Sequence, residues 1–147
     1  YDAEKRILDA LPKMAQAATS PQVADAFREH LRQTENQVRR LDQVFRSIGR
    51  EPERETCEGI KGIIEEGEKY TKAKGDDMVR DAALICAAQR VEHYEMAGYG
   101  TARTFAEQLG YDEAVQLLDQ TLQEEKVTDK KLTDLAAQSI NIKAAHA

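Results

Sequence analysis

Glu4, Glu92, Glu95, Glu125 and Asp129 fall in register with apolar residues on helical faces, where a bundle core calls for leucine. Burying an unpaired carboxylate is costly, so groups placed this way must be neutralised, paired or bound to metal. His30, Gln33 and Gln37 replace about one turn of core on a further helical face. Carboxylate oxygens with an imidazole nitrogen are the donor set of iron(II) and manganese(II). The usual dinuclear recipe in a four-helix bundle takes a Glu from each of two helices and Glu-x-x-His from the other two. This chain departs from that recipe, with His30-x-x-Gln33 on one helix and Glu125-x-x-x-Asp129 on another. His93 directly follows Glu92 and so points about 100° off the stripe. The candidate metal set is therefore Glu4, His30, Gln33, Glu92, Glu95, Glu125 and Asp129, for two divalent ions of iron or manganese.

Blander readings compete residue by residue. Glu4 suits a solvated position near the start of the chain. His30 can be satisfied by Glu92 or Glu125, and Glu95 can accept a hydrogen bond from Tyr99 one turn along. Glu124-Glu125-Lys126 also reads as a charged surface run. As a set, these polar residues describe either a metal site or a hydrogen-bonded core network, which sets register at some cost in stability. A third possibility is an assembly protein that dimerises through Ala-rich helix faces and needs no site at all.

The elements that must position these groups are helices. The 147 residues are 41% hydrophobic and 33% charged, and good helix formers dominate. The spacing predicts a first helix to about Ala17, strained by Pro12. A second runs from Pro21 to Ile48, with Ser20 as N-cap and Gly49 as terminator. A shorter helix, from about Glu55 to Lys72, interrupts a long connection. A third long helix spans Asp77 to Leu109 behind an aspartate cap. A fourth starts at a capping Asp112 and ends near Gln138. Short links make the first two long helices antiparallel, and likewise the last two. The fold class is therefore all-α, a ferritin-like four-helix bundle with one long crossover carrying a short extra helix, in a single domain over 1–147. The opening Tyr1-Asp2-Ala3-Glu4 reads as helix interior, so an N-terminal piece is expected before it.

A net charge of −6 argues against non-specific binding to nucleic acid or anionic membrane. No apolar run approaches the ~20 residues of a membrane span. Cys57 and Cys86 lack metal-site spacing and read as reduced thiols, which fits a cytoplasmic setting.

Several blocks together resemble the bacterial YciE/YciF-like family of ferritin-like stress proteins. They are Tyr-Asp-Ala-Glu-Lys at 1–5, Glu-His-Leu-Arg-Gln-Thr-Glu-Asn-Gln at 29–37, Val-Arg-Asp-Ala-Ala-Leu-Ile at 79–85, Val-Glu-His-Tyr-Glu-Met-Ala-Gly-Tyr-Gly-Thr at 91–101 and Glu-Glu-Lys-Val-Thr-Asp at 124–129. The resemblance implies a rubrerythrin-like bundle, often a homodimer, in a cytoplasmic protein linked to stress. It also implies that Glu4, His30, Glu92, Glu95, Glu125 and Asp129 are the family's inward polar residues. Relatives tend to carry Glu at position 33, where this chain has Gln33, and a neutral amide is a poor bridging ligand.

Overall fold

The computed structural model describes all 147 residues. They form α1 (Asp2–Ala17), α2 (Pro21–Ser47), α3 (Glu58–Thr71), α4 (Asp77–Gln108) and α5 (Asp112–Leu135), then a π-helical turn (Ala136–Ile140) and a last turn, α6 (Asn141–Ala144). There is no strand. The extra helix begins later than the apolar pattern suggests, at Glu58. α5 leaves α geometry at Leu135, a turn before the expected end. α1 continues unbroken across Pro12, whose ring removes one internal donor.

Helix ends follow local chemistry in most places. The Asp76 side chain accepts from the amides of Met78 at 2.7 Å and Val79 at 3.2 Å, capping α4. Gly49 (φ 69°) and Gly110 (φ 73°) turn the chain out of α2 and α4 in the left-handed conformation. Two expected caps differ. Asp112 lies inside the first turn of α5 with Tyr111 at the N-cap, so it acts through the helix dipole rather than as a cap. Ser20 sits at the N-cap of α2 without a side-chain bond. The buried Asp81 carboxylate of α4 serves that turn instead, accepting from the amides of Thr19 at 2.9 Å and Ser20 at 2.6 Å.

Cross-links give the helix directions. Lys131, Thr128 and Glu125 meet Glu29, Gln33 and Gln37 in reverse order, so α5 lies antiparallel to α2. Gln89, His93 and Arg103 meet Thr133, Asp129 and Asp119, so α4 and α5 are antiparallel. Ser20 meets Asp81 and His30 meets Glu92, so α2 and α4 run parallel. A parallel pair requires a connection that traverses the bundle, and α3 lies in that crossover, against α1 and α4. Gly67 lets α3 approach closely, since a Cβ there would lie 3.2 Å from that of Ala87.

Two apolar cores result. The larger gathers Ile7, Leu11, Phe27, Leu84, Ile85 and Leu132. The smaller holds Tyr99, Ala106, Ala114, Leu118 and Leu122. Along α2, α4 and α5 the polar residues picked out by the stripes fall between the two, and on α1 Glu4 lies at the end of the larger core.

Candidate metal centre

Each long helix contributes to this middle layer. α1 supplies Glu4, α2 His30 and Gln37, α4 Glu92 and Glu95, and α5 Glu125, all fully or almost fully buried. The i, i+3 spacing of Glu92 and Glu95 keeps both on the inner face of α4. One ligand atom from each of His30, Glu92, Glu95 and Glu125 lies within 4.8 Å of all the others. His30 Nδ1 is 3.1 Å from Glu92 Oε1, and Nε2 is 3.7 Å from Glu125 Oε2. Glu4 borders the group, where its Oε1 accepts the Tyr99 hydroxyl. Gln37 Nε2 donates to Glu125 Oε1.

Electrostatics follow from burial. Desolvation pushes the Glu4 carboxyl up to about 7, with the Tyr99 hydrogen bond pulling against it. Desolvation, then the hydrogen bond and charge of Glu125, raises Glu92 well above the ordinary range. Glu95 is raised well above it by desolvation and the charges of Glu4 and Glu125. Glu125 is also raised by burial, restrained by hydrogen bonds from Glu92 and Gln37. Burial lowers His30 to about 4, so its imidazole is neutral at neutral pH. Burial, then the Glu4 charge, raises Tyr99 well above its usual range and keeps it a phenol donor.

These groups fit a metal. Protonated, Glu92 pairs with Glu125 and Glu95 with Glu4; ionised, Glu4 Oε2, Glu125 Oε2 and both oxygens of Glu92 and of Glu95 join both His30 nitrogens and Gln37 Oε1 as buried atoms that no protein donor serves. Native interiors seldom leave so many polar atoms unsatisfied together. A neutral imidazole and a set of carboxyls can hold a divalent cation, which would displace the carboxyl protons as it bound.

The structure brings together Glu4, His30, Glu92, Glu95 and Glu125 of the expected set and sets two members apart. Gln33, three residues past His30, turns toward α5 and accepts from Thr128 Oγ1 at 3.2 Å. Asp129, one turn past Glu125, is rotated to the rim, where it accepts from Gln89 at 3.0 Å and lies 3.2 Å from His93 Nε2. The His93 side chain is largely exposed, as its offset from Glu92 requires. Tyr99 spends its hydroxyl on Glu4 of another helix rather than on Glu95. Glu124 is no free surface charge, because Arg40 grips it through two nitrogens at 2.8 and 2.9 Å. Arg40 also donates to Thr121 at 2.6 Å, and Gln37 spans Glu124 and Glu125. This brace behind Glu125 escaped sequence reading. Its signal was Arg40 three residues beyond Gln37, on the same face.

A family profile described as a domain of unknown function (DUF892) matches residues 1–145. The chain is 49% identical to Protein YciF of Escherichia coli (strain K12) over 145 residues, 98% of this chain and 87% of that one. The crystal structure of the E. coli stress protein YciF aligns with a TM-score of 0.92 at 48% identity, covering 96% of this chain and 89% of that chain. YcfI from Rhodopseudomonas palustris, described as a candidate structural protein, aligns with a TM-score of 0.86 at 43% identity, covering 89% and 83% of the two chains.

Proposed function

This chain belongs to the DUF892 family and shares the fold of YciF, and from that premise we propose that it is a stress-response protein that binds iron or manganese in its bundle core. The observation that carries the reading is the convergence of buried ligand atoms at His30, Glu92, Glu95 and Glu125, within 4.8 Å of one another, with Glu4 at their edge. His30 supplies a neutral nitrogen, and the carboxyls supply the negative charge that two divalent ions need. Tyr99 and Gln37 orient Glu4 and Glu125. A bound iron or manganese would supply redox or Lewis-acid chemistry. The two free thiols support a cytoplasmic setting. Exposed Phe105 in the last turn of α4 and Leu109 just past it support a homodimer.

One specific observation favours a second reading, a non-enzymatic bundle whose core carboxyls form a hydrogen-bonded network. Tyr99 and Gln37 already give Glu4 and Glu125 one protein partner each. Metal analysis of untagged protein, loaded anaerobically, separates the two. The metal reading expects one to two bound ions per chain and their loss in the Glu92→Ala, Glu125→Ala double variant. It also expects a higher melting temperature with metal, about 2.7 kcal/mol of stabilisation at a hundredfold excess over Kd. Wild-type protein that stays metal-free after loading would sink this reading and leave the network.

A further inference from the structure

His30 and Glu92 close the inner end of a cavity of about 30 Å³ between α1, α3 and α4. On the same measure one water-sized sphere takes ~10–15 Å³, so the space suits a diatomic molecule or a single atom of xenon. Its walls are hydrocarbon: Leu11 and Met14 come from α1, Ile64 from α3, and Ala88 and Val91 from α4. Lys13 and Glu68, an exposed ion pair of 2.8 Å, mark the outer end, beside Thr71, whose hydroxyl donates to the Glu68 carbonyl. The polar groups at the mouth are thus already engaged. Along the walls a water would find none of the two to four polar partners it needs, whereas a small apolar molecule gives up nothing there. A second cavity, also about 30 Å³, meets His30 from between α2 and α5, but Glu29, Gln33, Thr128 and Lys131 help to line it. The two approaches to His30 differ in polarity, not in size.

We propose that the cavity between α1, α3 and α4 holds one small uncharged apolar molecule, dioxygen by size and polarity, and is the passage by which it reaches the His30–Glu92 face of the polar layer. Use of the passage by a bound metal rests on the metal reading, whereas occupancy of the cavity does not. The test takes metal-free protein under pressure of xenon and, separately, of dioxygen. A xenon-pressurised crystal should show one xenon atom between Leu11, Ile64 and Ala88. Dissolved dioxygen is paramagnetic and should broaden the methyl signals of Leu11 and Ala88 at least threefold more than those of Leu84 and Ile85. All four residues are 3% exposed or less, but only the first two line the cavity. Ala88→Leu should remove both the xenon and the excess broadening, and Leu11→Ala should raise xenon occupancy. If either variant does not fold, the wild-type measurements decide by themselves. No xenon at this place, equal broadening of the two methyl pairs, or xenon confined to the cavity between α2 and α5 would overturn the proposal. Metal content read on the same preparations keeps the two readings apart. Protein that loads metal but takes no xenon sinks the passage alone, and protein that takes xenon but loads no metal sinks the metal reading alone.

Discussion

The apolar core around Phe27 and Leu84 and the polar layer beside it are built from the same helices and are almost equally buried. Phe27 is 1% exposed and Leu84 0%, as are Glu92 and Glu125. In the core, burial removes hydrocarbon from water and stabilises the fold. In the layer, the same burial strips carboxyls and an imidazole of solvent and returns few hydrogen bonds. Exclusion of water therefore cannot by itself tell a stabilising position from a costly one. The sign depends on what the side chain meets, and a layer that costs stability is a layer retained for something else.

The contrast can be broken or sharpened by substitution. The largest effect belongs to the core, where Phe27→Ala should destabilise by about 3–5 kcal/mol in urea unfolding. A loss below about 1 kcal/mol would show that the two regions differ less than argued. In the layer the sign should reverse. Glu92→Leu should stabilise the metal-free protein by about 1–4 kcal/mol, as replacement of buried ionic groups by apolar ones often does, and should reduce metal binding. A destabilised Glu92→Leu protein would mean that the carboxyl is already well satisfied.

The pH dependence tests the same contrast with no substitution. Glu4 keeps its proton in the folded state up to about pH 7, whereas the unfolded chain loses it near its ordinary value. Its contribution is thus present at low pH and lost as pH rises toward 7. Glu92, Glu95 and Glu125, also raised, act in the same direction. His30, lowered to about 4, acts oppositely, and its contribution is lost as pH falls from the ordinary histidine range. Several carboxyls outweigh one imidazole. Metal-free protein should therefore melt lower at pH 8 than at pH 6, by an amount His30 reduces, and excess manganese should flatten the difference. The smallest effect lies outside both regions, where Asp76→Ala should cost about 1 kcal/mol by removing the α4 cap without changing the pH profile.

The long helices were readable because period and punctuation agree. The Thr19-Ser20-Pro21 break, Gly49, Asp76 and Gly110 all mark real ends. Five of the seven proposed ligands meet because a buried stripe forces its polar members inward with its leucines. Gln33 and Asp129 were harder to place. Steps of three or four residues do not close a helical turn, so a stripe drifts by tens of degrees across each pair. Which neighbour then receives the side chain depends on the azimuth of the packed helix, which one sequence does not contain. The same limit hid the Arg40–Glu124 brace and the Tyr99–Glu4 bond, both of which join residues remote in the chain. Asp112 was misassigned for a smaller reason: an aspartate at the first helical position carries the same sequence signal as one at the cap.

The Asp81 carboxylate that receives the Thr19 and Ser20 amides implies an order of assembly. Those donors belong to the turn between α1 and α2, yet their acceptor arrives 62 and 61 residues later in the chain. A nascent α1–α2 hairpin therefore presents this turn to water and gains its closing bonds only when α4 docks alongside. A short link between long helices is thus locked by an acceptor from the other helical pair, and the hairpin should remain loose in the folding chain until that pair has joined it.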